Sequence, residues 1–314
     1  MLIYTSAVSL RFQYTIGFIE SVIGQQIFIT TNKEEYLSSD ESFKINYSNE
    51  AIADKEYHIH PHTLLFQDTI QSIPISIAAC RNNPCFFTNQ DDSHGFDVFA
   101  AIFYLISRYE EYLPHQKDSY GRYAHINSLA YKNNFLTIPL VNIWIKDLLA
   151  QFSTLYARRS SLDVKFNFLP TYDIDIAYAY NHQPLIKNIG GFFKDLIKGD
   201  LEKVIERANV YSGKQQDPFD TYAWLDNLHK QYNLSPIYFF LLANKKGIYD
   251  KNITSSSSAM HHLVSRHANE YSVGIHPSWQ SGDSKLLLFN EIETLEKITK
   301  KDCTISRQHY IRLT

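Results

Sequence analysis

Residues 235–243, SPIYFFLLA, form an unbroken apolar run. A half-exposed strand alternates apolar and polar side chains, whereas a strand buried on both faces has no solvent side to alternate toward. The run therefore reads as a buried strand, and the segments around it fit a sheet that helices cover. Residues 164–173 read as a strand and 185–211 as helical connections. Asp220 is the expected N-cap of a helix reaching residue 232. Four serines at 255–258 lead into the N-cap of a helix over 258–269, and 271–276 is a short strand. Residues 285–300 place Leu288, Ile292, Leu295 and Ile298 on one helical stripe, and 303–310 is a fourth strand. The order β-α-β-α-β-α-β implies parallel strands joined by right-handed crossovers.

The first 160 residues have a different texture. They mix short strands, loops rich in Asn, Asp and Ser, a helix over 96–113 stopped by Pro114, and a second helix over 141–157. The polar stretch at 158–161 reads as a linker, giving an α/β module over 1–160 and a second domain over 161–314. With 44% hydrophobic and 20% charged residues the chain has the balance of a folded globular protein. Thirty basic against 33 acidic residues, a net charge of −3, leave no electrostatic footprint for nucleic acid. The longest apolar run, 98–106, is far short of the roughly 20 residues that a membrane span needs. No basic region precedes an apolar core at the start, so no signal peptide is read. Cys80 and Cys85 flank a turn, RNNP, and read as free thiols. With Cys303 they make an odd count that fits a reducing, cytoplasmic address.

In parallel α/β folds ligands sit at the carboxyl ends of strands, and three of these strands end in chemically capable residues. TYDID offers Asp173 and Asp175, which share a face of an extended backbone. GIHPSWQS offers His276, and SRQHY offers Arg307 and His309. Carboxylate and imidazole groups meeting from separate strand ends are the pattern of a divalent-metal site, and a set without thiolate favours zinc or another borderline first-row ion.

The same residues resemble the metal-dependent polysaccharide deacetylase (NodB-homology) superfamily. TYDID at 171–175 is similar to its strand-end Thr-Phe-Asp-Asp motif, and SPIYFFLL at 235–242 to its second strand. YSVGIHPS at 271–278 resembles its glycine-histidine segment, and SRQHY at 306–310 its arginine-containing motif. LISRYEEYLPHQKDSYGRY at 105–123 is similar to a bacterial subgroup that carries an N-terminal module. The resemblance implies a partial (β/α) barrel after the N-terminal α/β module. It implies Asp173 as general base and Asp175 as a metal ligand, although Ile174 separates two residues that are adjacent in the family. His276 maps to the first ligand histidine. Gln280 stands where the family has a second one, so His309 is the replacement, and Arg307 would orient the base. The family's later motifs, with the histidine serving as general acid, have no counterpart, which implies a barrel incomplete at its C terminus.

The implied activity is zinc-dependent removal of an acetyl group, from nitrogen or oxygen, from a sugar in surface polysaccharide metabolism. Two other readings stand beside it. HIHPH at 58–62 sets His58, His60 and His62 at alternate positions, which on a strand would make a His-x-His amidohydrolase site. Alternatively the chain is a glycan-binding or scaffold relative without turnover, a reading that its 22 tyrosines and missing late motifs suit. The cluster Tyr109, Glu110, Glu111 and Tyr112 is expected to divide between core and solvent. Asp118, Gly121 and Arg122 read as a turn, and without a glycine-rich phosphate loop nucleotide hydrolysis has no support.

Overall fold

The computed structural model describes residues 1–156, 166–244 and 247–312. Its internal contacts separate two compact units, Met1–Asp118 with Tyr123–Lys165, and Ser119–Arg122 with Phe166–Thr314. The linker expected at 158–161 lies outside the described residues. Both units are mixed α/β with parallel sheets. No helix among the described residues is long and apolar enough to cross a membrane.

In the first unit, β1 (Leu2–Thr5) lies between β2 (Phe28–Thr30) and β3 (Lys44–Tyr47), and β4 (Tyr57–His58) flanks β3. All pairings are parallel, so helices α1 (Leu10–Ile23) and α2 (Lys33–Ser38) serve as crossovers. A hairpin of β5 (Ala78–Cys80) and β6 (Asn83–Cys85) and helices α3 (Val98–Ile106), α4 (Leu129–Lys132) and α5 (Leu140–Tyr156) complete it. The 98–106 apolar run is α3, buried from Val98 to Tyr104. It packs in a core with Phe12, Tyr47, Phe86 and Trp144.

Two expectations fail here for local reasons. The helix expected over 96–113 covers only α3. Arg108 takes a left-handed conformation (φ 53°), and a separate 3-10 turn follows at Tyr109–Tyr112. That turn buries Tyr109 and exposes Tyr112, the division expected of the YEEY cluster. Cys80 and Cys85 are not free thiols but a disulfide. Arg81 and Asn82 both have positive φ (48° and 66°), the geometry of a two-residue hairpin turn, which folds β5 back on β6 and brings the two Cα atoms to 5.7 Å. The pairing removes the cysteine-based argument for a reducing compartment.

The second unit holds a parallel sheet of β7 (Thr171–Ile174), β8 (Ile237–Phe240) and β9 (Ser272–Ile275), with β8 central as its apolar run requires. Between β7 and β8 come α6 (Leu185–Ile197), α7 (Leu201–Tyr211) and α8 (Tyr222–Tyr232). Helix α9 (Ser258–Glu270), capped by Ser257, precedes β9, and α10 (Lys285–Thr299) follows it. Tyr238, Phe240, Leu263, Ile275 and Leu295 form the core. The first strand is shorter than expected: 166–170 carry no regular structure, and 164–165 lie outside the described residues. Asp220 is not the cap of α8. Backbone bonds from Asp220 to Asp217 and from Thr221 to Phe219 tighten a turn there, so Thr221 takes the cap position. The fourth strand shrinks to one parallel bridge, Ile275 to Ser306, before the chain turns at His309–Ile311 with Tyr310 at φ 59°.

Asp97 locks the first unit. Its carboxylate caps α3 at the Ala100 N–H (3.0 Å) and accepts the Tyr47 hydroxyl (2.8 Å) and the His62 N–H (2.6 Å). Burial raises its pKa, the hydrogen bonds oppose that, and the net is a rise from 3.8 to about 6. As pH falls from about 6 toward 3.8 the native carboxyl binds a proton that the unfolded chain does not, so this group's contribution to stability rises. In urea unfolding, the wild type should gain on Asp97→Asn by at most about 3 kcal/mol between about pH 7 and pH 3.5. A difference that stays constant across that window would rule out burial as the cause.

Candidate metal centre

The carboxyl ends of β7 and β9 and the segment beside β9 deliver three ligand-type side chains to one place. Asp175 follows β7, His276 follows β9, and His309 ends the 303–309 segment. Gly274 permits the approach of that segment. A Cβ there would fall 2.6 Å from the Ile305 carbonyl oxygen, so any side chain would push 305–307 away from the sheet. With glycine, Ile275 N–H donates to Ile305 O (3.2 Å) and Arg307 N–H to Ile275 O (3.1 Å).

His276 Nε2 lies 3.0 Å and His309 Nε2 3.6 Å from Asp175 Oδ1, and one ligand atom from each residue lies within 4.8 Å of the others. Both imidazoles are almost fully buried, while the Asp175 side chain is half exposed, so the cluster opens to solvent on the carboxylate side. Each ring is fixed from behind. His276 Nδ1–H donates to the Arg307 carbonyl (2.5 Å), and His309 Nδ1–H donates to the Asp250 carboxylate (3.0 Å). With each Nδ1–H committed to these acceptors, it is Nε2 of both rings that faces Asp175.

Asp250 is itself buried and accepts the Trp279 N–H (2.9 Å), and the Gln280 amide lies 3.4 Å from its other oxygen. Gln280 thus supports the carboxylate that orients His309. Burial works against charge on His309, but the hydrogen bonds to Asp175 and Asp250 outweigh it and raise its pKa to about 9. Burial likewise opposes charge on Asp175 and Asp250, yet bonds to His276 and His309 hold Asp175 low, and bonds to His309 and Trp279 hold Asp250 low.

A tetrahedral zinc with bonds of about 2.0–2.1 Å spaces its ligand atoms about 3.3 Å apart. The two histidine–aspartate distances bracket that spacing, and imidazole nitrogen with carboxylate oxygen is a borderline donor set, so the residues fit such an ion.

Next to the cluster, Arg307 reaches Asp173 (3.2 Å) and lies over the Phe239 ring (4.7 Å). Arg307 thus serves twice, its side chain holding Asp173 and its carbonyl holding His276. A cavity of about 530 Å³ runs along β7, lined by Asp173, Asp175, Phe219 and Tyr222 among others. On the His309 side stands an aromatic wall. Tyr310 packs on His309, and Tyr120 packs on Tyr249 and Tyr310. Residues 119–122, read from sequence as part of a turn, belong to this unit through Trp279 Nε1–H to Tyr120 O (3.2 Å) and Arg122 to Tyr310 O (2.9 Å).

All five residues singled out at strand ends, Asp173, Asp175, His276, Arg307 and His309, lie in this one site. Sequence reasoning missed Asp250. The signal for it was its place in the loop after β8, the remaining strand whose carboxyl end had been assigned no polar residue. It also missed Asn252, whose side chain accepts the Ala177 N–H and donates to Ile174 O and Leu241 O, tying the loops that follow β7 and β8.

The HIHPH triad does not converge. His58 Nε2 donates to Ser48 O, His60 pairs with Asp92, and His62 stacks on Phe87. The His58 and His60 rings lie side by side, 4.2 Å between centroids, but each is committed to a different partner and His62 turns away to Phe87, so the three do not meet at one point. Among the described residues the group of three or more ligand-type side chains is Asp175, His276 and His309.

Fold and site together define an α/β protein with a histidine–aspartate cluster at the carboxyl edge of a parallel sheet. The chain belongs to the family of unknown function DUF7033, whose sequence model matches residues 1–157. That segment contains none of the cluster residues. No curated protein matches the chain, and no solved structure does either.

Asp250 is the test of how the site is held. Asp250→Ala would leave the Trp279 N–H and the His309 Nδ1–H without their acceptor. Urea unfolding should show a loss of about 2–4 kcal/mol, the cost of orphaning two buried donors. A loss below about 0.5 kcal/mol would mean that His309 is positioned by something else.

Proposed function

We propose that the protein is a metal-dependent carbohydrate deacetylase, a hydrolase that removes an acetyl group from a sugar of surface polysaccharide. The observation that carries this reading is the set of two oriented Nε2 atoms and the Asp175 carboxylate beside an Asp173–Arg307 pair. The order β7-β8-β9 followed by the bridge at Ser306 supports reading the second unit as part of a (β/α) barrel of the deacetylase type.

Asp175, His276 and His309 would hold the divalent ion, zinc by the chemistry of the set. When bound, the ion would supply Lewis acidity toward an acyl carbonyl and lower the pKa of water in the site. Asp173 is the base: its carboxylate is partly exposed, faces the cavity beside β7, and takes a proton from the attacking water. Arg307 keeps that carboxylate in one orientation and restrains it from drifting onto the ligand set. The cavity along β7 has the volume of a small-molecule site and admits the sugar, with Phe219 and Tyr222 offering apolar surface.

Two measurements on the purified full chain separate binding from turnover. In zinc titrations, Asp175→Asn, His276→Gln and His309→Gln should each weaken affinity at least about a hundredfold, more than loss of a supporting residue costs. In acetate-release assays with N-acetylated oligosaccharides, Asp173→Asn should lower kcat by about 10²–10⁴ with zinc affinity unchanged. Arg307→Ala should lower kcat too while retaining zinc, because the carbonyl that holds His276 survives the substitution. Zinc-loaded protein that releases no acetate from any such glycan would overturn the reading.

A further inference from the structure

Helix α6, LIKNIGGFFKDLI, is amphipathic but faces the wrong way for a helix packed on a core. At 3.6 residues per turn, Leu185, Ile186, Ile189, Phe193, Leu196 and Ile197 share one arc of roughly 120°. All six are exposed, Ile186 and Ile197 to 85% each. The opposite, polar side is the one that packs. Asn188 is buried and bonded to Tyr180 O, and Arg207 of α7 bridges Asn188 and Asp195. Gly191 lies under that guanidinium, where a Cβ would fall 2.6 Å from it, so the two helices are pressed together through their polar contact. Leu201 and Ile205 of α7, each 59% exposed, and an apolar groove between the helices lined by Ile189, Phe193 and Ala208 extend the patch.

We infer that the α6–α7 hairpin is a membrane-docking element that seats this apolar face in the headgroup region of a bilayer containing anionic phospholipid. The charge pattern selects this occupant. Lys194 and Lys198 are exposed and fall in one narrow arc beyond the Ile197 edge of the apolar face, where lysines of an in-plane helix reach lipid phosphates, while Lys187 on the same arc is held by Gln183 and the Lys251 carbonyl. The acidic side chain on α6, Asp195, is turned inward to Arg207. A second copy of the chain suits the face less well, because antiparallel pairing about a two-fold axis would set lysine rim against lysine rim. The inference is independent of the metal centre, whose residues it does not use.

The test is co-sedimentation of the full chain with vesicles of phosphatidylcholine alone and of phosphatidylcholine with about three parts in ten phosphatidylglycerol. The wild type should partition onto the anionic vesicles, less onto the neutral ones, and less again at high salt. The double substitution I186D with I197D should lower the partition coefficient on the order of tenfold or more. K194E with K198E should lower binding to anionic vesicles alone, by a similar factor. Both pairs sit on the exposed side, so melting temperatures should not change. Wild type that stays in the supernatant with both vesicles, or isoleucine variants that bind as well as wild type, would overturn the inference. A solution dimer that the isoleucine substitutions disperse, without vesicle binding, would assign the face to a second copy and overturn it equally.

Discussion

The second unit is organised around one electrostatic contact, the Asp175 carboxylate facing two buried imidazoles. Burying two histidines costs solvation, and that cost is offset because each ring is hydrogen-bonded at Nδ1 and faces the Asp175 carboxylate at Nε2. His276 is held from behind by a main-chain carbonyl and His309 by the buried Asp250 carboxylate. The two supports differ in kind. A carbonyl fixes the ring without adding charge, whereas Asp250, together with Asp175, favours the protonated His309 ring against its burial and raises its pKa. A divalent cation arriving at this cluster would take the place of a proton shared with two carboxylates.

That contact depends in turn on how closely the chain can pass beside β9. Gly274 lets Ile305 and Arg307 bond to the strand, and Arg307 then spans the site, its backbone on one histidine and its guanidinium on Asp173. The same segment turns sharply after a single rung of sheet, and the turn at Tyr310 is what points His309 inward. The short fourth strand is therefore part of how the third side chain reaches the cluster.

Much of the fold was legible in periodicity. The apolar run at 235–243 does hold the central strand, and the stripes at 258–269 and 285–300 do form helices, because burial on two faces or on one stripe leaves a direct pattern in the residues. The failures fall where backbone conformation overrides pattern. Arg108 breaks an apolar helix that composition would have continued, and Arg81 and Asn82 adopt positive φ, which unites two cysteines that spacing alone left apart. Asp250 was missed because an acidic residue in a loop has no periodicity, and its role exists only through the rings and amides that meet it.

Sequence by itself determined the alternation of strands and helices, the burial of β8, and the placing of Asp173, Asp175, His276, Arg307 and His309 near strand ends. These follow from local spacing and from the rule that parallel strands present their carboxyl ends together. Only the tertiary structure decided how closely His276 and His309 approach Asp175, that Asp250 is the anchor of His309, and that the apolar face of α6 looks outward. Each of those depends on distances between residues far apart in the chain, and a pattern of side chains along one segment carries no information about which distant groups will satisfy it.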